Sequence, residues 1–285
     1  MTGVKRSAEM RINMELKKLY CLLELPEIVI TQLNQYENNR KISIDIELKK
    51  RLLTRDLWKE GIETLQELIG DDPNGIKLLW ELLNVACESY KEYEKKNIPI
   101  DIYIETMKFC TRFIKDYNRV HGEYKFVWGW WFPRQLSLQE FRVGCLEYEF
   151  VELEEKMISI HIPSDANLEE KTIQKSLNDF FEFRKMFFPE WVNIQMYCNS
   201  WLLSPALKEL LDKDSRILNF QKFFVVESID YEKQSIFQWV FPGYTEASDD
   251  LPEDTSLQRR MKKYLLEGKK VGSAKGYLKK MDFIS

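Results

Sequence analysis

The chain has 285 residues, of which 44% are hydrophobic, 31% charged and 13% aromatic, with a net charge of −4. This balance is typical of a soluble globular protein, and no apolar run approaches the ~20 residues that span a bilayer. The charge predicts no general attraction to nucleic acid or to an anionic membrane, so the expected partner is a small molecule. Five cysteines without paired spacing are typical of reduced thiols in the cytoplasm. With two histidines and no CxxC motif, the sequence predicts no metal site.

Residues 1–121 show helical spacing of apolar residues and are predicted to form a bundle of four or five helices. From Ile76 to Tyr90 the apolar positions recur every three or four residues, so one face of that helix is expected to be buried. Gly122 follows at the position where a left-handed residue often ends a helix. The predicted helices cover 16–26, 46–68, 76–90 and 99–121.

From residue 122 onward the patterns indicate strands separated by helices, an α/β or α+β arrangement. The predicted strands are 141–153, 157–163, 193–203, 218–230 and 234–241, and the predicted helices are 167–188 and 204–211. The last two strands are expected to pair antiparallel through a turn at 231–233. Beyond Phe241 we expect loop and a basic tail, in which Thr255 and Gln258 open a helix with a capping box.

Four segments carry a family resemblance: WWFPRQLSLQEFRVGCLEYEF, HIPSDANLEEKTIQKSL, CNSWLLSPALKELL and SRILNFQKFF. They resemble a family of bacterial acyltransferases that join a helical N-terminal domain to a GNAT-like C-terminal domain. The resemblance spans 128–224. It implies a helical bundle at 1–121 and a GNAT-like mixed-sheet domain with a basic tail at 122–285. It also implies that an acyl group moves from an acyl-CoA-like thioester to an amine or hydroxyl of a small molecule.

In a GNAT-like fold, acyl-CoA lies where two central strands diverge, and the resemblance assigns 158–162 and 194–203 to those strands. The helix at 167–188 would then begin near the cofactor pyrophosphate, because free N–H groups at a helix start attract anions. Ser164 and Asn167 are the predicted cofactor-binding residues there.

The same junction also permits a second interpretation. It contains no glycine, and Asp165, Glu169 and Glu170 stabilise a helix start but repel a pyrophosphate. An ordinary capped helix is therefore the alternative. Arg259 and Lys263 are further candidates for binding phosphates, with a solvated basic face as the alternative.

Glu147 and His161 are the predicted general bases. Read as one strand, 141–153 places Glu147 and Glu149 on one face and Arg142 on the other. Enzymes of the GNAT type often use a strand glutamate as base, and low solvation at mid-strand can raise the pKa of Glu147. His161 ends its strand beside a helix start, and an imidazole suits removal of a proton from an amine. A salt-bridged glutamate and a structural histidine are the alternatives.

Cys198 and Ser200 share one face of the strand MYCNS and complete the predicted catalytic residues. Cys198 could act as a nucleophile if a neighbour such as His161 favoured its thiolate. The alternative is a small buried hydrophobic side chain. Donors near Cys198 to Ser200 would otherwise hold the oxyanion of a direct transfer.

The predicted substrate-binding residues are large aromatic or hydrogen-bonding side chains near the proposed cleft, each of which could instead serve packing. They are Trp130, Trp131, Arg142, Trp201 and Gln221. Three functions follow from these candidates: direct acyl transfer, which we favour, a Cys-dependent thioester or amide hydrolase, and a non-catalytic GNAT-like binding module.

Overall fold

The structure is a computed structural model that describes residues 14–152 and 154–280. Seven helices precede residue 122 in the described part of the chain. They are α1 (Leu16–Leu22), α2 (Glu27–Asn39), α3 (Ile46–Leu52), α4 (Trp58–Ile69), α5 (Ile76–Lys95), α6 (Ile100–Met107) and α7 (Phe109–His121). Gly122 ends α7 with φ of +72°, as the sequence predicts. None of the described helices combines the length and the apolar character needed to cross a membrane.

The prediction of four or five N-terminal helices was too low, because α2 was overlooked and two predicted helices are each divided. The helix predicted at 46–68 breaks between α3 and α4, where Arg55 turns inward and donates a hydrogen bond to the carbonyl of Leu138. Gly61 on α4 allows the two helices to touch, since a Cβ there would lie 3.2 Å from Arg51 Cβ. A tertiary contact therefore overrides a continuous helical pattern.

Six strands form one mixed sheet in the order β1-β2-β3-β4-β6-β5. They are β1 (Glu140–Val143), β2 (Leu146–Glu152), β3 (Lys156–His161), β4 (Met196–Ser200), β5 (Phe224–Asp230) and β6 (Ser273–Leu278). Strands β3 and β4 are parallel, and every other neighbouring pair is antiparallel. The mixed sheet after a helical N-terminal half confirms the predicted fold class.

The remaining helices lie between or beside these strands. They are α8 (Pro133–Leu136), α9 (Glu170–Phe187), α10 (Leu207–Leu210), α11 (Arg216–Gln221), α12 (Ile236–Trp239) and α13 (Ser256–Leu266). Thr255 and Gln258 form the predicted capping box of α13. Helix α9 begins at Glu170, three residues after the predicted start at Asn167, whose side-chain oxygen instead accepts the N–H of Glu169 at 3.1 Å.

The predicted strand at 234–241 is wrong, because its apolar residues serve a second, smaller core. Ile236 and Phe241 are buried against Met261 and Leu265 of α13. The antiparallel partner of β5 is β6, which the sequence analysis left within the tail. Ala274 and Gly276 are small, so β6 lacks the apolar pattern of a strand. Small residues fit between β4 and β5, because a Cβ at Gly276 would lie 3.2 Å from Leu203.

The segment predicted as one strand at 141–153 is a hairpin of β1 and β2, joined by Gly144 and Cys145. Gly144 has φ of +65°, a conformation that suits glycine at the first position of a tight hairpin turn. Arg142 lies directly opposite Glu147 in this hairpin. Directly opposed residues share a face of the sheet, so the prediction that these two side chains lie on opposite faces was wrong.

Replacing Gly144 with alanine is expected to destabilise the protein by about 1–3 kcal/mol, because the positive φ is strained for alanine and the new Cβ would lie 2.9 Å from Ser176. Gly122→Ala is the matched control, since its φ is also positive but no atom lies within 4 Å of a Cβ there. Urea unfolding measures both losses. A loss at Gly144 no greater than that at Gly122 would contradict the contact with Ser176.

Helix α9 covers one face of the sheet through aromatic packing. Tyr148 and Phe180 stack with centroids 3.8 Å apart, and Phe141 lies 5.0 Å from Phe183. Because side chains alternate along a strand, the neighbours of Tyr148 at Glu147 and Glu149 lie on the opposite face. That face is turned toward the N-terminal helices.

Candidate active site

Strands β3 and β4 diverge at the centre of the sheet. Their pairing comprises Ile158 with Met196 and Ser159 with Tyr197. Beyond Ser159, β3 continues beside β2 to His161, and β4 continues beside β6 to Ser200. Each strand keeps its outer neighbour, so the backbone groups on the two inner edges have no partner strand within the described part of the chain. The divergence predicted from the resemblance is present.

A cavity of about 770 Å³ opens at this divergence and is lined by both halves of the chain. The N-terminal half contributes α7 and the aromatic segment 128–131, and the sheet contributes β1 to β4. The loop at 162–168, the 3-10 helix at Trp201–Leu203 and the segment 233–239 complete the wall. The predicted site residues that line it are Glu147, His161, Cys198, Ser200, Trp130, Trp131, Trp201 and Ser164.

A carboxylate and an imidazole pair at the point of divergence. His161 Nε2 lies 2.9 Å from Glu149 Oε2. Glu149 is 8% exposed and also accepts hydrogen bonds from Arg134 Nε at 3.1 Å and from Gln139 Nε2 at 2.9 Å. Among the described residues none bonds to Nδ1 of His161, and the side chain is 28% exposed. This nitrogen is therefore available to a molecule in the cavity.

The protonation of this pair follows from its surroundings. Burial alone would lower the pKa of His161, but the nearby carboxylates of Glu140 and Glu149 outweigh it and raise the pKa to about 9. Burial would raise the pKa of Glu149, but the hydrogen bond and charge of His161, with help from Arg134, lower it. At neutral pH the free protein therefore holds an imidazolium bound to a carboxylate.

Glu140 on β1 lies directly opposite Glu149 and is 1% exposed. Trp131 Nε1 donates to its Oε2 at 2.8 Å, whereas Oε1 is buried without a hydrogen-bond partner. Burial raises the pKa of Glu140 to about 8; Glu147 and Glu149 add to the rise and His161 opposes it. Glu140 is thus a neutral carboxylic acid at pH 7.

Oxygens of Glu140 and Glu149 and a ring nitrogen of His161 lie within 4.8 Å of one another, a spacing that a metal ion could use. Glu149 already binds His161, and the guanidinium of Arg134 beside it opposes a further cation. We therefore assign no metal to this cluster. The predicted lack of a metal site stays a prediction.

Glu147 lies opposite His161 in the β2–β3 register and is 7% exposed. Its carboxylate forms an ion pair with the guanidinium of Arg112 on α7, and not with Arg142, the partner considered in the sequence analysis. This ion pair engages the carboxylate of Glu147 with a guanidinium, whereas Nδ1 of His161 has no partner among the described residues. The geometry therefore favours His161 over Glu147 as the group that accepts a proton.

Cys198 lines the cavity wall but is only 1% exposed. Burial raises the pKa of its thiol to about 12, which opposes formation of a thiolate. The hydrogen bonds also do not form the Cys198–His161–Glu147 arrangement considered above, since His161 bonds to Glu149. Ser200 accepts the N–H of Leu202 at 3.1 Å and so shapes the turn that follows β4.

Replacing Cys198 with alanine is expected to leave acyl transfer largely unchanged, because a buried neutral thiol makes no nucleophile. Turnover before and after iodoacetamide treatment gives the second reading, and we expect little inactivation. Loss of activity in both experiments would establish the Cys-dependent reaction in place of direct transfer.

Four tryptophans and a phenylalanine of the cavity lining form an aromatic wall. Trp128 stacks between Trp130 and Trp239, with centroid distances of 5.5 and 5.8 Å, and Phe113 lies 4.7 Å from Trp128. Trp131 meets His161 edge-on at 5.4 Å. The wall offers an apolar surface directly beside the Glu149–His161 pair.

Two predicted substrate-binding residues lie outside the cavity lining. Arg142 is 7% exposed and bonds to the carbonyl of Gly144 and to Asp165, each at 2.9 Å. Gln221 donates to the carbonyls of Leu202 and Ser204, at 2.9 and 3.0 Å. Both side chains hold backbone segments in place, which was the alternative interpretation of Gln221.

The predicted cofactor residues are distributed over separate places. Ser164 lines the cavity and donates to Asp116 on α7, whereas Asn167 is used in the turn before α9. Arg259 donates to the carbonyl of Glu253 at 2.6 Å, and Lys263 is exposed; neither lines the cavity.

The acidic residues of the β3–α9 loop are partly neutralised by cations. Asp165 is paired with Arg142, and Glu169 with Arg216 at 3.1 Å. These pairs weaken the repulsion of a pyrophosphate that the sequence analysis raised against binding at this loop.

Several residues of the site were not singled out from the sequence, among them Arg112, Arg134, Glu140, Trp128 and Trp239. Trp128 and Arg134 stand in the string VWGWWFPRQ, whose aromatic density was the available signal. Arg112 and Trp239 reach the cavity from elements distant in sequence, and no local pattern marks them.

Two family models match the chain: an N-acyltransferase N-terminal domain over residues 14–138 and a GNAT-like C-terminal domain over residues 140–278. No curated protein matches it. The predicted pairing of these two kinds of domain is confirmed. The predicted boundary between residues 121 and 122 stays a prediction.

Solved structures with the same fold include three acyltransferase complexes. One, with decanoyl-CoA, is 19% identical, with 93% of this chain and 99% of that chain covered and a TM-score of 0.66. A mutant with octanoyl-CoA is 19% identical, with 96% and 91% covered and a TM-score of 0.72. A complex with decanoyl-CoA and teicoplanin is 18% identical, with 93% and 99% covered and a TM-score of 0.65. The chain therefore joins a domain of the N-acyltransferase N-terminal family to a domain of the GNAT-like C-terminal family.

Proposed function

We propose that the protein transfers an acyl group from an acyl-CoA donor to the amine of a small-molecule acceptor, with a hydroxyl as the alternative nucleophile. The observation that carries this proposal is the divergence of β3 and β4 beside the Glu149–His161 pair, within one cavity. The gap accommodates a donor, and the pair supplies a base next to it.

The donor is proposed to lie along the gap with its thioester near His161. The pantetheine arm carries two amides, and the inner edges at Ile160 and at Cys198 to Ser200 offer backbone groups that no described strand pairs with. Buried backbone groups need hydrogen-bond partners, so an extended amide chain complements these edges. Arg119 and Lys233 also line the cavity and carry charge suited to the phosphates of CoA.

The aromatic wall supports an acyl chain longer than acetyl. Trp128, Trp130 and Trp239 present stacked rings rather than polar groups to the cavity. Each buried methylene gains about 0.8 kcal/mol on leaving water. The acyltransferases of similar fold are complexed with octanoyl- and decanoyl-CoA.

In the proposed reaction the acceptor nitrogen attacks the thioester carbon while His161 Nδ1 takes its proton. The C–N bond forms, the carbonyl oxygen becomes an oxyanion, and backbone donors near Cys198 to Ser200 stabilise it. The C–S bond then breaks, and the proton held by His161 passes to the departing CoA thiolate. Glu149 stabilises the imidazolium between the two proton transfers.

Thermal unfolding with CoA, acetyl-CoA, octanoyl-CoA and decanoyl-CoA tests the donor. A ligand at 100 times its dissociation constant adds about 2.7 kcal/mol to the unfolding free energy, and we expect octanoyl- and decanoyl-CoA to stabilise most. Arg259→Ala is the matched control, because that side chain lies outside the cavity lining. No stabilisation by any of the four would contradict acyl-CoA binding.

Release of free thiol, measured with a panel of primary amines and alcohols, tests turnover. We expect release that depends on both the acyl-CoA and an amine. Stabilisation by acyl-CoA without release for any acceptor would instead support a non-catalytic binding module.

A further inference from the structure

Glu140 is the most deeply buried carboxyl in the cavity lining, and the proposed reaction assigns it no step. It is 1% exposed and stands across the β1–β2 register from Glu149. One of its oxygens accepts the indole N–H of Trp131 at 2.8 Å. The other is buried and has no partner, although a buried polar atom normally has one.

A buried carboxyl with one unpartnered oxygen is costly to the fold and invites a functional explanation. Glu140 lies beside His161, the group that takes the proton in the proposed reaction. A carboxylate oxygen of Glu140 and a ring nitrogen of His161 lie within 4.8 Å of each other. Between charges this close in a buried site, the state of one strongly affects the other.

The charges that face His161 come from every element packed around it. They are Glu140 on β1, Glu147 and Glu149 on β2, Arg134 on α8 and Arg112 on α7. Glu149 is paired with Arg134, and Glu147 with Arg112. Glu140 is the member of this group without an ion-pair partner of its own among the described residues.

We propose that Glu140 is a positioning residue that sets the pH range in which His161 can accept a proton from the acceptor. When ionised, Glu140 adds an unpaired negative charge behind the imidazole and holds the proton on His161. When neutral, Glu140 no longer favours the protonated form of His161. Only the kinetic test of this inference rests on the proposed function; the pKa of His161 is measured without turnover.

The direction of the pKa shifts agrees with this arrangement. The charge of Glu140 is the largest single cause that raises the pKa of His161, and Glu149 follows with a hydrogen bond and a charge. The pKa values of about 8 for Glu140 and about 9 for His161 lie close enough for the two sites to titrate as a coupled pair. Removing the charge of Glu140 should therefore lower the pKa of His161.

Glu140→Gln tests the proposal, because the amide oxygen can still accept the indole N–H of Trp131. NMR titration of the His161 ring in wild type and variant measures the pKa without any substrate. The chain has two histidines, so His121 serves as an internal reference. We expect the His161 midpoint to fall by about one unit or more, and an unchanged midpoint would overturn the proposal.

The kinetic test measures the pH range over which kcat/KM rises. At pH 7 Glu140 is already mostly neutral, so the substitution should change the activity little there, whereas above its pKa of about 8 the wild-type carboxylate favours the protonated form of His161. The rise in kcat/KM of Glu140→Gln should therefore occur at lower pH than in wild type, displaced by the same amount as the NMR midpoint. Because the NMR titration needs no turnover, an inactive protein would overturn the proposed function and leave the coupling to be decided by the midpoint.

Glu81→Gln is the matched control. Glu81 is also 1% exposed and hydrogen-bonded, but it lies on α5 outside the cavity lining. The His161 midpoint should be unchanged in this variant, and an equal fall would show a general effect of buried charge loss.

If Glu140→Gln does not fold, Trp131→Phe gives a second measurement. Loss of the indole N–H disfavours the ionised form of Glu140 and should lower the His161 midpoint in the same direction. A rise or no change in this variant would overturn the proposal.

Discussion

Replacing His161 with alanine is expected to lower kcat for acyl transfer by about 10²–10⁴-fold, the usual contribution of a positioned general base. Glu149 holds Nε2 of the ring at 2.9 Å, so Nδ1 is left to the attacking nucleophile. The loss should fall on kcat rather than on donor affinity, because the proposed donor contacts are made by backbone edges. Initial rates of thiol release at saturating acyl-CoA measure it.

Two controls make this prediction specific. Thermal stabilisation by decanoyl-CoA should be similar for His161→Ala and wild type, which excludes a collapsed cavity. Glu147→Gln removes the charge paired with Arg112 while keeping the shape of the side chain, and its loss of kcat should be much smaller. A His161→Ala variant with nearly normal kcat, beside an inactive Glu147→Gln, would assign the base to Glu147.

The pH dependence has a defined sign. His161 accepts a proton only when it is neutral, and its pKa of about 9 in the free protein means that most molecules are protonated at pH 7. We therefore expect kcat/KM to rise with pH and to level off above about pH 9. A profile that falls between pH 7 and pH 9 would contradict a basic role of His161.

Glu149→Gln should also displace the pH range over which kcat/KM rises. The hydrogen bond and charge of Glu149 both raise the pKa of His161, so their loss lowers it and shifts this range to lower pH. The plateau should also fall, since a glutamine does not stabilise the imidazolium formed during transfer. A lower plateau together with a shifted range distinguishes this role from a structural one.

The sequence predicted the central strands well because they carry strong local signals. Local sequence predicted β3 from the apolar residues around Ile158 and Ile160, and β4 from the string MYCNS. The family resemblance predicted that these two strands are central and diverge. The divergence between them, and therefore the cavity, followed from the fold class. His161 was proposed as a site residue because it stands at the end of a strand beside a helix start, and the structure places it in the cavity lining.

The partners of these residues could not be predicted, because they depend on packing between distant elements. Glu149 was placed on the correct face, but its bond to His161 depends on the β2–β3 register. Glu147 finds its cation on α7, a helix that shares no sequence pattern with the sheet. The hairpin at Gly144 was overlooked although the apolar positions change phase there, from Phe141 and Val143 to Leu146 and Tyr148.

The position of β6 shows the same difficulty at the level of topology. Ala274 and Gly276 give the strand little apolar character, and nothing local shows that it inserts between β4 and β5. The nearer apolar segment at 234–241 was chosen instead, although its residues belong to the second core. Insertion of a late strand is a long-range pairing, which local propensity does not encode.

Replacing Arg40 with methionine is expected to destabilise the protein by about 3–5 kcal/mol, the cost of leaving one partner of a buried ion pair alone. Glu81 is 1% exposed in the helical half, and Arg40 binds both of its oxygens, Nε at 2.6 Å and Nη2 at 3.0 Å. Tyr36 also donates a hydrogen bond to Glu81 at 3.0 Å, but a neutral hydroxyl does not compensate the negative charge of Glu81. Urea unfolding measures the loss.

The double variant Arg40→Met/Glu81→Met separates an unpaired charge from lost packing. Methionine keeps most of the volume at both positions, and an apolar pair often replaces a buried ion pair at little cost. The double variant should therefore be more stable than Arg40→Met alone, although it carries one more substitution. Equal or greater destabilisation would mean that the packing of Arg40 over Trp80, 4.8 Å from the ring centroid, matters more than the charge of Glu81. Arg40 and Glu81 lie outside the cavity lining. The dependence of kcat/KM on pH that we assign to His161 should therefore be the same in both variants.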